Sequence, residues 1–252
     1  MTRNFRIGQI VPSSNTTMET EIPAMLQARQ HIRPLERFTF HSSRMRMKRV
    51  VKEELAAMDA ESDRCADELS DARVDVMGYA CLVAIMCMGP GYHCVSQERL
   101  TKRTLANGGK APVITSAGAL VDALHIMKAK KIAVVAPYMK PLTETVVDYL
   151  RREGQEVIDY RALEIPDNLD VGRHDPARLP AIVAGMDYAQ ADVIVLSACV
   201  QMPSLPAIAH VEALTGKPVV TAAVATTYAM LRALDLEPVV PGAGALLSGA
   251  YA

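Results

Sequence analysis

ADVIVLSACVQMPSL, residues 191–205, runs from an acid through a short apolar, β-branched stretch and stops at Ala-Cys, followed by polar and turn-forming residues. An apolar run of this length bounded by turn signals reads as a strand buried on both faces, the kind found in parallel sheets. VDVMGYACLVAIM, residues 74–86, has the same shape: Val-Asp, an apolar run, then Ala-Cys. Two such endings in one chain give each thiol, Cys81 and Cys199, a counterpart.

Outward from these stretches, strands are predicted over 5–11, 37–41, 74–79, 112–115, 131–136, 156–160, 192–197 and 218–221. Between them lie segments of helical periodicity, among them 18–26, 50–70, 117–128, 143–152, 177–189 and 222–233. The alternation implies an α/β fold of parallel sheets covered by helices. The chain also repeats itself. RIGQIVP (6–12) aligns with KIAVVAP (131–137) at an offset of 125, the Ala-Cys endings at 118, and APVITSAGA (111–119) with KPVVTAAVA (217–225) at 106. Offsets that shrink in order describe two homologous halves, the first with longer loops. The expected units are therefore 1–116, carrying Cys81, and 117–252, carrying Cys199, with a segment near 117–128 or the C-terminal tail crossing over. Both are read as flavodoxin-like parallel-sheet units with the active site in the cleft between them.

Composition narrows the function classes. The chain has 252 residues, half of them hydrophobic, with 27 basic and 28 acidic side chains. That is enough for a sizeable core and speaks against a nucleic-acid partner. The N-terminal 26 residues lack the apolar region of a secretion signal, and no run approaches a membrane span, so no membrane association and a cytoplasmic location are expected. Five cysteines without a Cys-x-x-Cys pair point to reduced thiols rather than a disulfide framework.

In an open parallel sheet, ligands bind beyond the carboxyl ends of the strands. Each half would bring its Ala-Cys turn to that edge, so Cys81 and Cys199 are expected on opposite sides of one small ligand. A helix beginning after each cysteine would lower the thiol pKa and offer N–H groups to an anion. A free cysteine standing alone is more often a small buried apolar residue; the matched pair favours chemistry.

Five segments in order, VPSSNTTMETE (11–21), GYACLVA (78–84), VVAPY (134–138), IPDNLDVGR (165–173) and LSACVQMPS (196–204), resemble the maleate cis-trans isomerases of the aspartate/glutamate racemase and arylmalonate decarboxylase superfamily. The resemblance covers nearly the whole chain. It implies a cofactor-independent enzyme of two pseudo-symmetric α/β domains, usually a homodimer, acting on a small dicarboxylate. Matched residue by residue, it implies Asn15, Tyr138 and Asn168 as site residues, Cys81 as nucleophile and Cys199 as its partner. Ser14, in the hydroxyl-rich run 13–16, and Val83 and Val200, close behind the cysteines, complete the expected substrate-binding set.

The chemistry agrees. Rotation about a carbon–carbon double bond requires that bond to be removed, and a soft thiolate adding to the alkene does so. The carboxylates must then be met by donors: the Ser13–Thr16 run for one, Tyr138 and Asn168 for the other. Two other readings compete. A two-cysteine amino-acid racemase needs a partner for an ammonium group, and Asp167 is its one obvious candidate. A non-enzymatic anion-binding module needs only unreactive thiols. Other features weigh less: Cys87, His93 and Cys94 match no zinc spacing, so no metal is expected. Cys65 reads as packing, SRMRMKR (43–49) as a solvated helix start, and His174-Asp175 as a helix cap. PGAGALLSGA (241–250) lacks the strand and the Lys-Ser/Thr ending of a phosphate loop.

Overall fold

Strands made mostly of apolar side chains, with no charged residue on either face, are best placed between two layers of helices, and two stretches of this chain are built that way. The computed structural model, which describes residues 2–251 and Lys52 by its backbone alone, shows Val76–Tyr79 and Val193–Ser197 buried at each position. The first half runs β1 (Arg3–Pro12), α1 (Met18–Gln30), β2 (Glu36–Met45), α2 (Lys52–Asp71), β3 (Val76–Tyr79), α3 (Leu82–Met86), α4 (Tyr92–Ala106), β4 (Val113–Thr115) and α5 (Ser116–Ile126). The second runs β5 (Lys131–Ala136), α6 (Lys140–Arg152), β6 (Glu156–Ala162), α7 (Asn168–Gly172), α8 (Leu179–Ala184), β7 (Val193–Ser197), α9 (Ile208–Thr215), β8 (Val219–Thr221) and α10 (Ala222–Ala233). Among the described residues no helix is long and apolar enough to cross a membrane.

The strands form two parallel four-stranded sheets, ordered β2-β1-β3-β4 and β6-β5-β7-β8. The internal repeat therefore has a structural counterpart: strands in the same place in the repeat occupy the same place in the sheet. It extends to single hydrogen bonds. Thr115 Oγ1 accepts from the Gly118 N–H at the start of α5, and Thr221 Oγ1 from the Val224 N–H at the start of α10, both at 3.1 Å. Each hydroxyl satisfies a donor that the helix itself leaves open. Helix α10 packs on α5 and also on β3 and β4 of the first sheet. Gly78 permits this approach, since a Cβ there would meet Met230 Cε at 2.1 Å and Met18 Cε at 3.0 Å.

The structure departs from the sequence reading at several points. Residues 43–45 do not start a helix but finish β2, and the alternation continues beyond it: Ser43, Met45 and Met47 are buried while Arg44, Arg46 and Lys48 are exposed, the period of a strand. Helix α4 has no predicted counterpart, because its buried face is His93, Ser96, Leu100 and Thr104, too polar to register as an apolar stripe. The segment predicted helical over 177–189 is shorter, a 3₁₀ turn at Pro176–Arg178 followed by α8, which stops before Gly185. The Asp175 carboxylate caps that turn by accepting from the Ala177 N–H at 2.9 Å, as expected for the His174-Asp175 pair.

One buried cation joins distant segments of the chain. The Arg29 side chain, 1% exposed, pairs with Glu36 at 2.6 Å and donates to the carbonyls of Glu237 at 2.6 Å and Val239 at 2.7 Å. It ties the end of α1 to the start of β2 and to the segment after α10. Arg29→Ala leaves a buried carboxylate and two carbonyls without their donor, and should lower the unfolding free energy by about 3–5 kcal/mol in a denaturant titration.

Candidate active site

In both sheets the strand order reverses between the first and third strands, and a crevice opens at their carboxyl ends. In the first sheet β1 delivers Asn15 and β3 delivers Cys81; in the second β5 delivers Tyr138 and β7 delivers Cys199. All four line one cavity, joined by Asn168 at the start of α7 and by Pro12, Met47, Val50, Val83, Val200 and Gln201. Of the residues expected from the sequence, only Ser14 stands outside the lining, and it stands directly behind it: its Oγ accepts from Asn168 Nδ2 at 2.8 Å.

Cys81 occupies a sharp strand-to-helix turn with φ 82° and ψ 65°, a left-handed conformation that a side chain rarely adopts, and α3 begins at the next residue. The expectation of low thiol pKa values fails in this closed state. Burial pushes the Cys81 thiol far above its ordinary value, and the Ala84 N–H offsets only part of that. Burial also raises Cys199, against the Tyr138 hydroxyl and the N–H groups of Gln201 and Met202, which favour its thiolate. No helix starts directly behind Cys199; a turn carries the Gln201 N–H to 3.4 Å from Sγ instead, and α9 begins only at Ile208. Desolvation outweighs a short helix terminus wherever water is shut out.

The uncharged donors are held just as closely. Asn15, 2% exposed, turns Oδ1 to the N–H groups of Thr17 and Met18 at 3.1 and 3.0 Å, capping α1. Its Nδ2 is the opposite end of that amide, and the residue borders the cavity. The Tyr138 hydroxyl lies 3.2 Å from the Ala198 carbonyl and against the Cys199 thiol, and burial keeps it protonated and a donor. Among the described residues no carboxylate lines the cavity. Asp167, the one candidate partner for a substrate ammonium, caps α7 through the Leu169 N–H at 2.7 Å.

Sequence reasoning missed the roof and one clip. Met47 and Val50 close the cavity from above. Ser13 Oγ holds Met47 by both its N–H and its carbonyl, at 3.0 and 3.1 Å, and the backbones of Arg49 and Asp167 form an isolated antiparallel β-bridge. The space left between these side chains is about 10 Å³, room for about one water molecule. The alternating burial of residues 43–48 was the available signal for the roof. For Gln201 it was a long polar side chain inside an apolar strand ending. The metal-like trio dissolves here: His93 Nδ1 is 2.5 Å from the Tyr149 hydroxyl, and among the described residues no group of three or more His, Cys, Asp or Glu is placed to hold a metal ion.

The geometry has relatives. The family model for arylmalonate decarboxylase matches residues 7–247. A maleate isomerase of Pseudomonas putida is 79% identical over the full length of both chains. The crystal structure of a maleate isomerase variant from Pseudomonas putida S16 with maleate shares 68% identity and a TM-score of 0.97, covering 98% of this chain and 99% of that one. A Nocardia farcinica maleate cis-trans isomerase mutant with a covalently bound succinylcysteine intermediate shares 46% identity and a TM-score of 0.93, covering 97% and 98%. Sheet order, paired thiols and full-length identity agree that the chain belongs to the maleate isomerase family, within the wider arylmalonate decarboxylase family.

Proposed function

We propose that this enzyme converts maleate into fumarate without a cofactor, through a covalent adduct on Cys81. The observation that carries the reading is the convergence of two thiols and three uncharged donors, Asn15, Tyr138 and Asn168, on one enclosed cavity. The succinylcysteine in the Nocardia farcinica enzyme supports the covalent route. With Asp167 turned to α7, the racemase reading lacks a partner for its ammonium group.

The reaction balances between the two sulfurs. Maleate needs more room than this cavity leaves, so Met47 and Val50 move aside; water then lowers the cost of the Cys81 thiolate, and maleate binds with one carboxylate on Asn15 and the other on Tyr138 and Asn168, between Val83 and Val200, with Ser14 supporting Asn168 from behind. Cys81 attacks C2, the π electrons move to C3, and Cys199 Sγ–H protonates C3 from the opposite face. A succinyl thioether and a Cys199 thiolate result. Rotation about C2–C3 brings the hydrogen that C3 originally carried to Cys199, which removes it as Cys81 leaves, and the trans alkene forms with the Cys81 thiolate and the Cys199 thiol restored. The Gln201 and Met202 N–H groups receive the charge while it rests on Cys199.

We extend the proposal to two units, residues 1–116 and 117–252, supported by the repeated strand order and matching caps, with α10 reaching back onto the first sheet. A homodimer in the cytoplasm completes it. Reduced thiols suit that compartment, and exposed apolar side chains such as Val95, Leu105 and Ile126 suit a subunit contact.

Incubation with maleate and no added cofactor should yield fumarate, whereas D-aspartate should stay unchanged; racemised aspartate without fumarate would reverse the reading. In deuterated water the earliest fumarate should carry deuterium at the carbon Cys199 served, because a thiol proton exchanges with solvent. Deuterium-free product would mean an unprotonated carbanion.

Asn15→Asp keeps the cap on α1 but turns a carboxylate on the substrate, so kcat/KM should fall by about 10²–10³ (~2.7–4 kcal/mol) with Tm little changed. Alkylation of ligand-free Cys81, followed by mass spectrometry, should rise about tenfold per pH unit from pH 7 to 9 without levelling, since its raised pKa keeps the thiol protonated over that range. A plateau below pH 9 would contradict it.

A further inference from the structure

We propose that Gln201 is a positioning residue whose carboxamide holds Asn15 and Asn168 at the spacing a dicarboxylate needs; this rests on the functional reading above. Gln201 is 2% exposed. Its Oε1 accepts from the Thr16 and Thr17 N–H groups at 2.8 and 3.3 Å, and its Nε2 donates to the carbonyls of Ser14 at 3.1 Å and Asn168 at 2.8 Å. Two acceptances and two donations are the full capacity of an amide. Donors on one side and carbonyls on the other also fix which way the amide points.

The partners matter as much as their number. Ser14, Thr16 and Thr17 bracket Asn15, so the peptide carrying one substrate donor is held on both sides. Asn168 carries another donor, 33 residues away from Gln201 in sequence, while the first loop is more than 180 away. The backbone N–H of the same Gln201 points at the Cys199 thiol. One residue thus sets the β1–α1 loop, the start of α7 and the second thiol in a common frame, without itself binding a carboxylate by that saturated amide. The second half contributes Gly172, where a Cβ would lie 2.5 Å from Gln201 Nε2 and 3.1 Å from Thr16 Oγ1. Its φ is ordinary, so the glycine serves to leave room for the carboxamide.

The test compares Gln201→Met, which keeps length and removes all four hydrogen bonds, with Gly172→Ala, which displaces the amide and removes none. Steady-state kinetics with maleate are paired with maleate protection of Cys81 against iodoacetamide. Both variants should raise KM and the half-protecting maleate concentration by about 10- to 100-fold, while Cys81 labelling without ligand keeps its wild-type rate. A role in packing alone would accelerate that labelling and leave KM unchanged, and this overturns the inference. Should Gln201→Met not fold, Gly172→Ala decides: a wild-type KM there overturns it. Absence of maleate turnover in the wild-type protein overturns the functional reading instead, so the two failures are distinguishable.

Discussion

The arrangement depends on one constraint: strands β3 and β7 are buried on both faces and so can end only where their last peptides find partners away from water. Both end at Ala-Cys, and both ends border the same cavity. Everything else at the site serves those two terminations. Neighbouring β1 and β5 bring Asn15 and Tyr138 to the same edge, and buried polar side chains close the remaining backbone gaps. Glu21 of α1 crosses to accept from the N–H groups of Ser204 and Leu205 at 2.6 and 2.7 Å, although burial raises its pKa. Gln201 makes the reciprocal crossing. Cross-linking of this density makes the two halves one site rather than two pockets.

A left-handed cysteine costs of order 1–2 kcal/mol and persists only when its surroundings leave no alternative. Behind Cys81 the carboxylate of Asp59 accepts from the hydroxyls of Tyr79 at 2.9 Å and Tyr92 at 2.7 Å and from Arg99 at 3.1 Å. Tyr79 is the last residue of β3 and fully buried. Anchored from α2 and α4, it fixes the peptide two residues ahead of Cys81, while α3, its residues Leu82 to Met86 all buried, fixes the chain behind it. The strain is thus supported from outside the cavity.

The fold was legible because its decisive strands are short, buried and largely apolar and because the repeat gave β1, β3 and β4 a control in β5, β7 and β8. β5 and α10 match their predicted ranges, and the site cysteines emerged from the same repeat. What stayed illegible shares a physical cause: polar groups whose meaning depends on distant partners. The inner face of α4 meets neighbours through His93, Ser96 and Thr104, and Gln201 through carbonyls and N–H groups far along the chain. No periodicity records such pairings. Asn15, Tyr138 and Asn168 came from family resemblance, since an isolated Asn or Tyr carries no signal of its own. The thiol pKa argument failed for the opposite reason. A helix terminus is visible in sequence, but the water excluded around it is not.

That failure clarifies the chemistry. No cationic side chain lines the cavity among the described residues, so a closed site holding a dicarboxylate and a thiolate must disperse negative charge onto dipoles alone. In the proposed addition the number of charges stays constant: as Cys81 forms its bond to carbon, Cys199 gives up a proton and takes the charge. The two sulfurs are not equivalent receivers. Cys199 has a tyrosine hydroxyl and two backbone N–H groups against it, Cys81 the single Ala84 N–H. Addition therefore carries charge from the poorly solvated sulfur to the better solvated one, which favours the adduct. Elimination returns it, driven by restoration of the double bond. An arginine in the cavity would hold the dianion more tightly in both states alike and add nothing to that difference. Neutral, fixed donors, placed unequally about two buried thiols, are what lets the charge move.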